Sequence, residues 1–225
     1  MTERVTFKSK AGDEASGALA LPAGTGKAPA LVLIQEYWGL NDHIKSMADR
    51  FAAEGFLVLA PDLYRGQVTK DAAEAGKLMK GLDYPRAFGD VGGAVEYLRN
   101  HARSNGKVAM TGFCMGGAIT LAAAASTPSL GLAAAVPFYG VPWDTDYTKI
   151  SCPVQAHFAA IDEWAKPSIA LDIQKTVQQH GGAMEVNVYD AKHAFMNDTR
   201  PEVHSPDDAK LAWGRAVSFL KQHTA

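Results

Sequence analysis

The chain has 225 residues, 47% of them hydrophobic and 20% charged, a length and balance that suit one α/β domain around a single core and exclude a disordered or collagenous chain. A formal net charge of −2 with no run of Lys or Arg leaves no electrostatic footprint for nucleic acid or an anionic membrane surface, so small-molecule chemistry is favoured by elimination. The two cysteines, Cys114 and Cys152, are too few for a disulfide framework and lack the spacing of a zinc site, and no apolar run is long enough to span a bilayer.

In chain order, residues 1–8 lack the basic start and apolar stretch of a secretory signal, so a cytoplasmic location is expected. Residues 4–8 and 16–21 alternate in polarity around Ala11-Gly12-Asp13, the pattern of an antiparallel hairpin. The continuous apolar run 30–34 then reads as a strand buried on both faces, followed by a helix over 44–54 with Asp42 as its cap and Gly55 as its stop. The alternation recurs: a strand over 56–60, helices over 71–80 and 86–103, a short strand over 108–110 and a helix over 115–125. Strands over 133–138, 154–159 and 184–189 and helices over 167–180 and 208–222 complete it. Such a series implies a mainly parallel sheet with helices on both faces, whose ligand site lies at the carboxyl ends of the strands.

Gly112-Phe113-Cys114-Met115-Gly116-Gly117 falls between a strand and a helix and matches the G-x-S-x-G nucleophile elbow, with sulfur in place of oxygen. The tight turn demands small flanking residues, and it sets Cys114 at a helix N-terminus, where the dipole favours a thiolate and the amide of Met115 faces a developing oxyanion. The competing reading, a small buried hydrophobe, has no use for the flanking glycines. Cys152, before Pro153 at a strand start, reads as structural.

A thiol nucleophile needs a base, and His193 lies just past the last strand, where the order nucleophile, acid, histidine would put it. His43, His101, His180, His204 and His223 read as surface residues, and His157, within a strand, as a core histidine. The acid should follow the intervening strand. Asp162 does so and would hold the imidazole's other N–H, with the adjacent Glu163 as its competitor.

With these residues placed, the chain resembles the dienelactone hydrolase family, the carboxymethylenebutenolidases, over nearly its whole length. The resemblance is carried by Gln35-Glu36-Tyr37-Trp38-Gly39, Ala60-Pro61-Asp62-Leu63-Tyr64, the Cys114 elbow and Lys192-His193-Ala194-Phe195. It implies an α/β-hydrolase fold and a triad of Cys114, Asp162 and His193, with no cofactor or metal. It also implies a role for Glu36 beside the nucleophile and an oxyanion amide from Tyr37. Read from the residues, Glu36 closes an apolar strand at the site end of the sheet, as either a partly buried functional carboxylate or a solvated loop acid. Trp38, Tyr139 and Trp164 lie on site-facing loops and are candidate pocket walls or ordinary core.

The departure concerns substrate binding. The resemblance implies an arginine shortly after the histidine to hold a substrate carboxylate, but Met196-Asn197 stands there. Arg86, Lys70 and Arg200 are the candidate replacements. The leading expectation is a monomer or weak homo-oligomer that opens a small-molecule ester or lactone through a thiolester on Cys114. Alternatives are a thioesterase or promiscuous esterase, or a low-turnover binding or redox-sensing protein using the same thiol.

Overall fold

The computed structural model describes residues 1–142 and 144–225. By its internal contacts the chain divides into two units, Met1–Ala109 and Met110–Ala225.

The N-terminal unit begins with β1 (Glu3–Lys8) and β2 (Glu14–Ala20), which pair antiparallel with Phe7 opposite Ala15. Gly12, at φ 102°, makes the turn between them. This left-handed conformation is open to glycine and strained for most other residues. Strand β2 then pairs antiparallel with β4 (Leu57–Pro61), and β4 pairs parallel with β3 (Ala28–Ile34). A side chain at Gly17 would sit 2.5 Å from the Ala60 carbonyl oxygen, so glycine is what lets these two strands approach. The run Leu31–Ile34 is fully buried, as its unbroken apolar character requires.

Helix α1 (Asp42–Ala53) is capped by Asn41, whose side-chain oxygen accepts from the Ile44 amide at 3.1 Å. Asp42, expected as the cap, is instead the first helical residue. There its carboxylate still complements the dipole, but the extended backbone that lets a side chain reach the third amide belongs to Asn41. His43, expected at the surface, is buried on the inward face beside Ile44 and Met47. Gly55, at φ 102°, follows the helix as expected. Asp71 caps α2 (Ala72–Lys80) and Asp83 caps α3 (Tyr84–Asn100). Helix α3 starts before residue 86 because Asp83 captures the Arg86 amide and Pro85 suits a first turn, and it stops at His101, whose backbone is extended.

In the C-terminal unit, which takes in β5 from Met110 onward, the strands run parallel in the order β5, β6, β7, β8, pairing Phe113 with Phe138, Phe138 with His157 and Val154 with Met184. Strand β5 (Ser104–Phe113) is longer than the three residues expected; the others are β6 (Ala135–Phe138), β7 (Val154–Ile161) and β8 (Met184–Lys192). Helices α4 (Met115–Ala124), α5 (Pro167–Gln179) and α6 (Pro206–Thr224) accompany them. Phe113, Phe138, Phe158 and Phe195 fill the core of this unit. Because β5, β7 and β8 share one direction, Cys114, Asp162 and His193, each the next residue after its strand, emerge from the same end of this sheet. Among the described residues, no helix is long and apolar enough to cross a membrane.

Candidate active site

Cys114 joins β5 to α4 at φ 57° and ψ −117°, a conformation that L residues rarely adopt and that local packing must hold in place. The packing is visible. The Cys114 amide donates to the Phe138 carbonyl at 3.1 Å, and the Cys114 carbonyl accepts from Ala118 at 3.1 Å, opening the helix. A side chain at Gly117 would lie 2.2 Å from the Phe138 oxygen, and one at Gly140 would lie 2.2 Å from the Cys114 oxygen and 2.3 Å from the Ala118 nitrogen. Gly140 is the partner that sequence reasoning missed. Its signal is a glycine two residues past the end of the neighbouring strand, where the chain must pass against the elbow. Cys114 is half-buried, and Met115 opens α4 with its amide at the positive end of the helix dipole.

The other end of the unit's chemistry is a short hydrogen bond: His193 Nδ1 lies 2.6 Å from Asp162 Oδ2. The second carboxylate oxygen, Oδ1, accepts from the amides of Trp164 and Ala165, both at 2.9 Å. Both oxygens of this buried carboxylate are therefore engaged, and its ring-facing oxygen is fixed in place. Burial alone would raise the Asp162 carboxyl, but the hydrogen bond and charge of His193, with the two amides, hold it below its ordinary value. Burial likewise opposes charging of His193, yet Asp162 and then Cys114 overcome this and raise its pKa to about 10. Nε2 of His193 meets no protein group in full hydrogen-bond geometry, and Cys114 is the neighbour that, after Asp162, favours the protonated ring. Cys152, by contrast, is pushed up to about 12 by burial and is inert by that measure.

Two aromatic rings flank the imidazole. Tyr139 meets His193 edge to face at 5.1 Å and Trp164 does so at 5.2 Å. Tyr139 is buried at φ 37°, its amide donating to the His157 carbonyl at 2.7 Å, whereas Trp164 is 77% exposed. Glu163, the competing acid, is exposed and pairs with Lys166 at 3.6 Å. Behind His193, Met196 and Asn197 are buried, with Asn197 Oδ1 accepting from Thr199, and Arg200 is bound to Glu202 at 2.8 Å.

The remaining candidates belong to the N-terminal unit. Glu36, just past β3, is 1% exposed, so it is a buried carboxylate and not a solvated one. Tyr37 and Trp38 pack ring against ring at 4.3 Å, and the Trp38 carbonyl accepts from Thr69. Gly39, at φ 93°, closes this loop, where a side chain would meet the Gln67 oxygen at 2.4 Å. Arg86 is committed locally: it donates to the Leu63 carbonyl at 3.1 Å and pairs with Asp90 at 3.3 Å. Asp90 is fully buried and also binds Arg65 at 3.0 Å.

Residues 15–224 match the model of the dienelactone hydrolase family. A protein of Aquifex pyrophilus named "Protein usf" is 36% identical over 99% of both chains, and a provisionally named carboxymethylenebutenolidase of Aquifex aeolicus (strain VF5) is 35% identical, again over 99% of both. The crystal structure of a provisionally named dienelactone hydrolase from Klebsiella pneumoniae subsp. pneumoniae superposes with a TM-score of 0.85 at 26% identity, covering 98% of this chain and 99% of its own. The likeness in sequence runs from end to end and the likeness in structure matches it: the chain is a hydrolase of the α/β-hydrolase fold and belongs to the dienelactone hydrolase family.

Proposed function

We propose that the chain opens lactones or carboxylic esters with Cys114 as nucleophile, His193 as proton carrier and Asp162 as the group that orients and charges the imidazole. The observation that carries this is the 2.6 Å bond from His193 to Asp162, in a unit where Cys114 adds to the same histidine's preference for its proton. With a pKa of about 10, His193 keeps its proton through neutral pH. It is then ready to give that proton to a departing oxygen.

In the proposed reaction, Cys114 Sγ attacks the carbonyl carbon after its proton has passed to His193, and the carbonyl electron pair moves onto oxygen. The amide of Met115 faces that oxygen. Collapse breaks the bond to the leaving oxygen, which takes the proton from His193 Nε2 and leaves an acyl thioester. Water then gives a proton to His193 as its oxygen attacks the thioester carbon, and collapse expels the sulfur and frees the carboxylic acid. In a lactone the departing oxygen stays tethered, so the product is one ring-opened hydroxy or oxo acid. The family resemblance further implies a role for Glu36 beside the nucleophile and a second oxyanion amide from Tyr37.

The decisive variant is Cys114→Ala, which removes the attacking atom and little volume. Turnover of a chromogenic short-chain ester should fall by roughly 10³-fold or more with the thermal unfolding midpoint nearly unchanged. Activity within about tenfold of wild type would remove Cys114 from the mechanism.

A further inference from the structure

We infer that the outer face of α6 is the interface of a symmetric dimer, in which two copies of this chain cross α6 against α6, antiparallel, at Gly214. The inference is independent of the reaction at Cys114, and every residue it uses lies in the C-terminal unit. It starts from a glycine without a local reason. Gly214 stands in the middle of α6, where glycine is among the most costly residues a helix can hold, yet a side chain there would meet nothing within 4 Å. Neither a turn nor a close approach within the chain requires it. Leu211, one turn earlier, is 50% exposed. A bare stretch of backbone beside an exposed leucine is what lets a second helix come close and cover the apolar side chain.

The surroundings select the partner. Leu211 and Gly214 line an open groove of about 670 Å³ between α6 and the amino ends of β7 and β8, the outer strand of the sheet. In this groove Gln155 is 7% exposed, with Nε2 donating to Glu185 at 3.5 Å and Oε1 without a partner. The charged side chains of the groove are Glu185, Asp207, Lys210 and Arg215, and none of the four makes an ion pair among the described residues. Their charges cancel, so the groove does not select a polyanion or a polycation. Their placement selects a second copy.

Helix α6 begins near the carboxyl end of β8, where the Ser205 amide donates to the Phe195 carbonyl at 3.2 Å, and runs back past Tyr189, whose hydroxyl accepts from Arg215 at 3.3 Å. Lys210 therefore lies towards one end of the groove and Glu185, four residues before Tyr189, towards the other. A two-fold axis through Gly214 exchanges the ends. Residue 210 of one copy then faces residue 218 of the other, and Lys210 comes within reach of the other copy's Glu185 and of the unmatched Gln155 oxygen beside it, twice per dimer. Asp207, Gly214 and Lys221 are spaced by seven residues and share one line along the helix, so the same axis sets Asp207 opposite Lys221. Arg215 is turned to the Tyr189 ring, 5.6 Å from its centre, and away from the crossing. The antiparallel arrangement also brings the positive end of each helix beside the negative end of the other.

Sedimentation equilibrium of the full chain from about 1 to 200 µM should show a reversible monomer–dimer equilibrium that weakens as salt rises. Gly214→Leu should remove the dimer without lowering the unfolding midpoint measured at low concentration, because the new side chain displaces nothing in its own chain. Lys210→Glu and Glu185→Lys should each weaken association by about tenfold or more, and the two together should restore it to within about threefold of wild type. A wild type that stays monomeric at about 200 µM overturns the interface. A dimer that survives Gly214→Leu, or one that the paired charge exchange fails to restore, overturns the crossing at Gly214.

Discussion

Two histidines of the C-terminal unit, His157 within β7 and His193 just past β8, are both largely out of water, and each holds an oxygen through Nδ1. His157 meets the Tyr189 hydroxyl at 2.8 Å, and His193 meets the Asp162 carboxylate at 2.6 Å. Their protons behave in opposite ways. Burial, helped by the charge of Arg215, lowers His157 to about 3, whereas at His193 the burial penalty is overcome by Asp162 and Cys114 and the value rises to about 10. Geometry does not separate them, since both bonds are short and both rings sit among aromatics. The formal charge of the partner does. His157 is a neutral flat ring stacked on Phe138 at 4.5 Å and 13°. His193 is a charge held ready in an apolar setting.

The comparison breaks most sharply if the charge is taken from Asp162. Asp162→Asn keeps the volume and lets Oδ1 still accept from Trp164 and Ala165, but it places a neutral amide against His193. The His193 pKa should then drop from about 10 towards or below its ordinary value. In addition, an amide N–H against Nδ1 would force the wrong tautomer, so kcat/KM should fall by about 10³- to 10⁴-fold. Titration of the His193 ring by NMR, alongside steady-state kinetics, measures both. A variant with a lowered histidine pKa but activity within about tenfold of wild type would detach the charge from the chemistry.

The two rings should also load stability onto opposite sides of the pH scale. For His157 the folded pKa of about 3 lies below the ordinary 6.5, so its contribution is present above pH 6.5 and is lost as pH falls towards 3. For His193 the folded pKa of about 10 lies above 6.5, so its contribution is full below pH 6.5 and is lost as pH rises towards 10. The His157 term should amount to about 5 kcal/mol over its full window, most of it between pH 6.5 and pH 4. Urea unfolding at pH 7 and pH 4 tests this in wild type and His157→Phe, which preserves the stack on Phe138. The variant should lose much less stability between the two pH values; an equal loss would place the acid sensitivity elsewhere.

What could be read in advance follows from how local each cause is. Strand and helix alternation is written in hydrophobic runs, so the fold class was legible, and the elbow was legible because its glycines and Cys114 are contiguous. The closeness of Asp162 to His193 was readable from their order along the chain, each in the loop after a strand, although both strands run further than expected, to Ile161 and Lys192. The surroundings of the elbow were not. Gly140 matters because β6 passes against the Cys114 carbonyl, a contact between residues far apart in sequence. His43 looked like a polar surface residue because helical periodicity cannot tell which polar side chains the fold will accept on a buried face. Asn41 and Asp42 are adjacent residues of equal capping chemistry, separated only by backbone angles. The Arg86–Asp90 pair follows the i,i+4 spacing of a helix, but the bond of Arg86 to the Leu63 carbonyl depends on tertiary packing that no spacing rule encodes.

The smallest effect should come from Tyr189→Phe, and it is the one that shows whether the two histidines are independent. The substitution deletes the oxygen that His157 Nδ1 contacts, leaving both imidazole nitrogens without a partner, since Nε2 already has none. It keeps the ring that stacks on His157 at 5.8 Å and lies under Arg215 at 5.6 Å. Stability should therefore drop by about 1–3 kcal/mol, the cost of an unsatisfied buried polar group. The ring also belongs to a line of aromatic contacts running from Tyr189 to Phe195 at 5.1 Å, from Phe195 to Tyr139 at 5.5 Å and from Tyr139 to His193 at 5.1 Å. Phenylalanine preserves every one of these contacts, and the Asp162 bond that charges His193 does not involve Tyr189. If partner charge acts locally, kcat should stay within about twofold of wild type despite the lost stability. A fall in kcat of more than about tenfold with the fold intact would show that the neutral histidine holds the charged one in place through that line of rings.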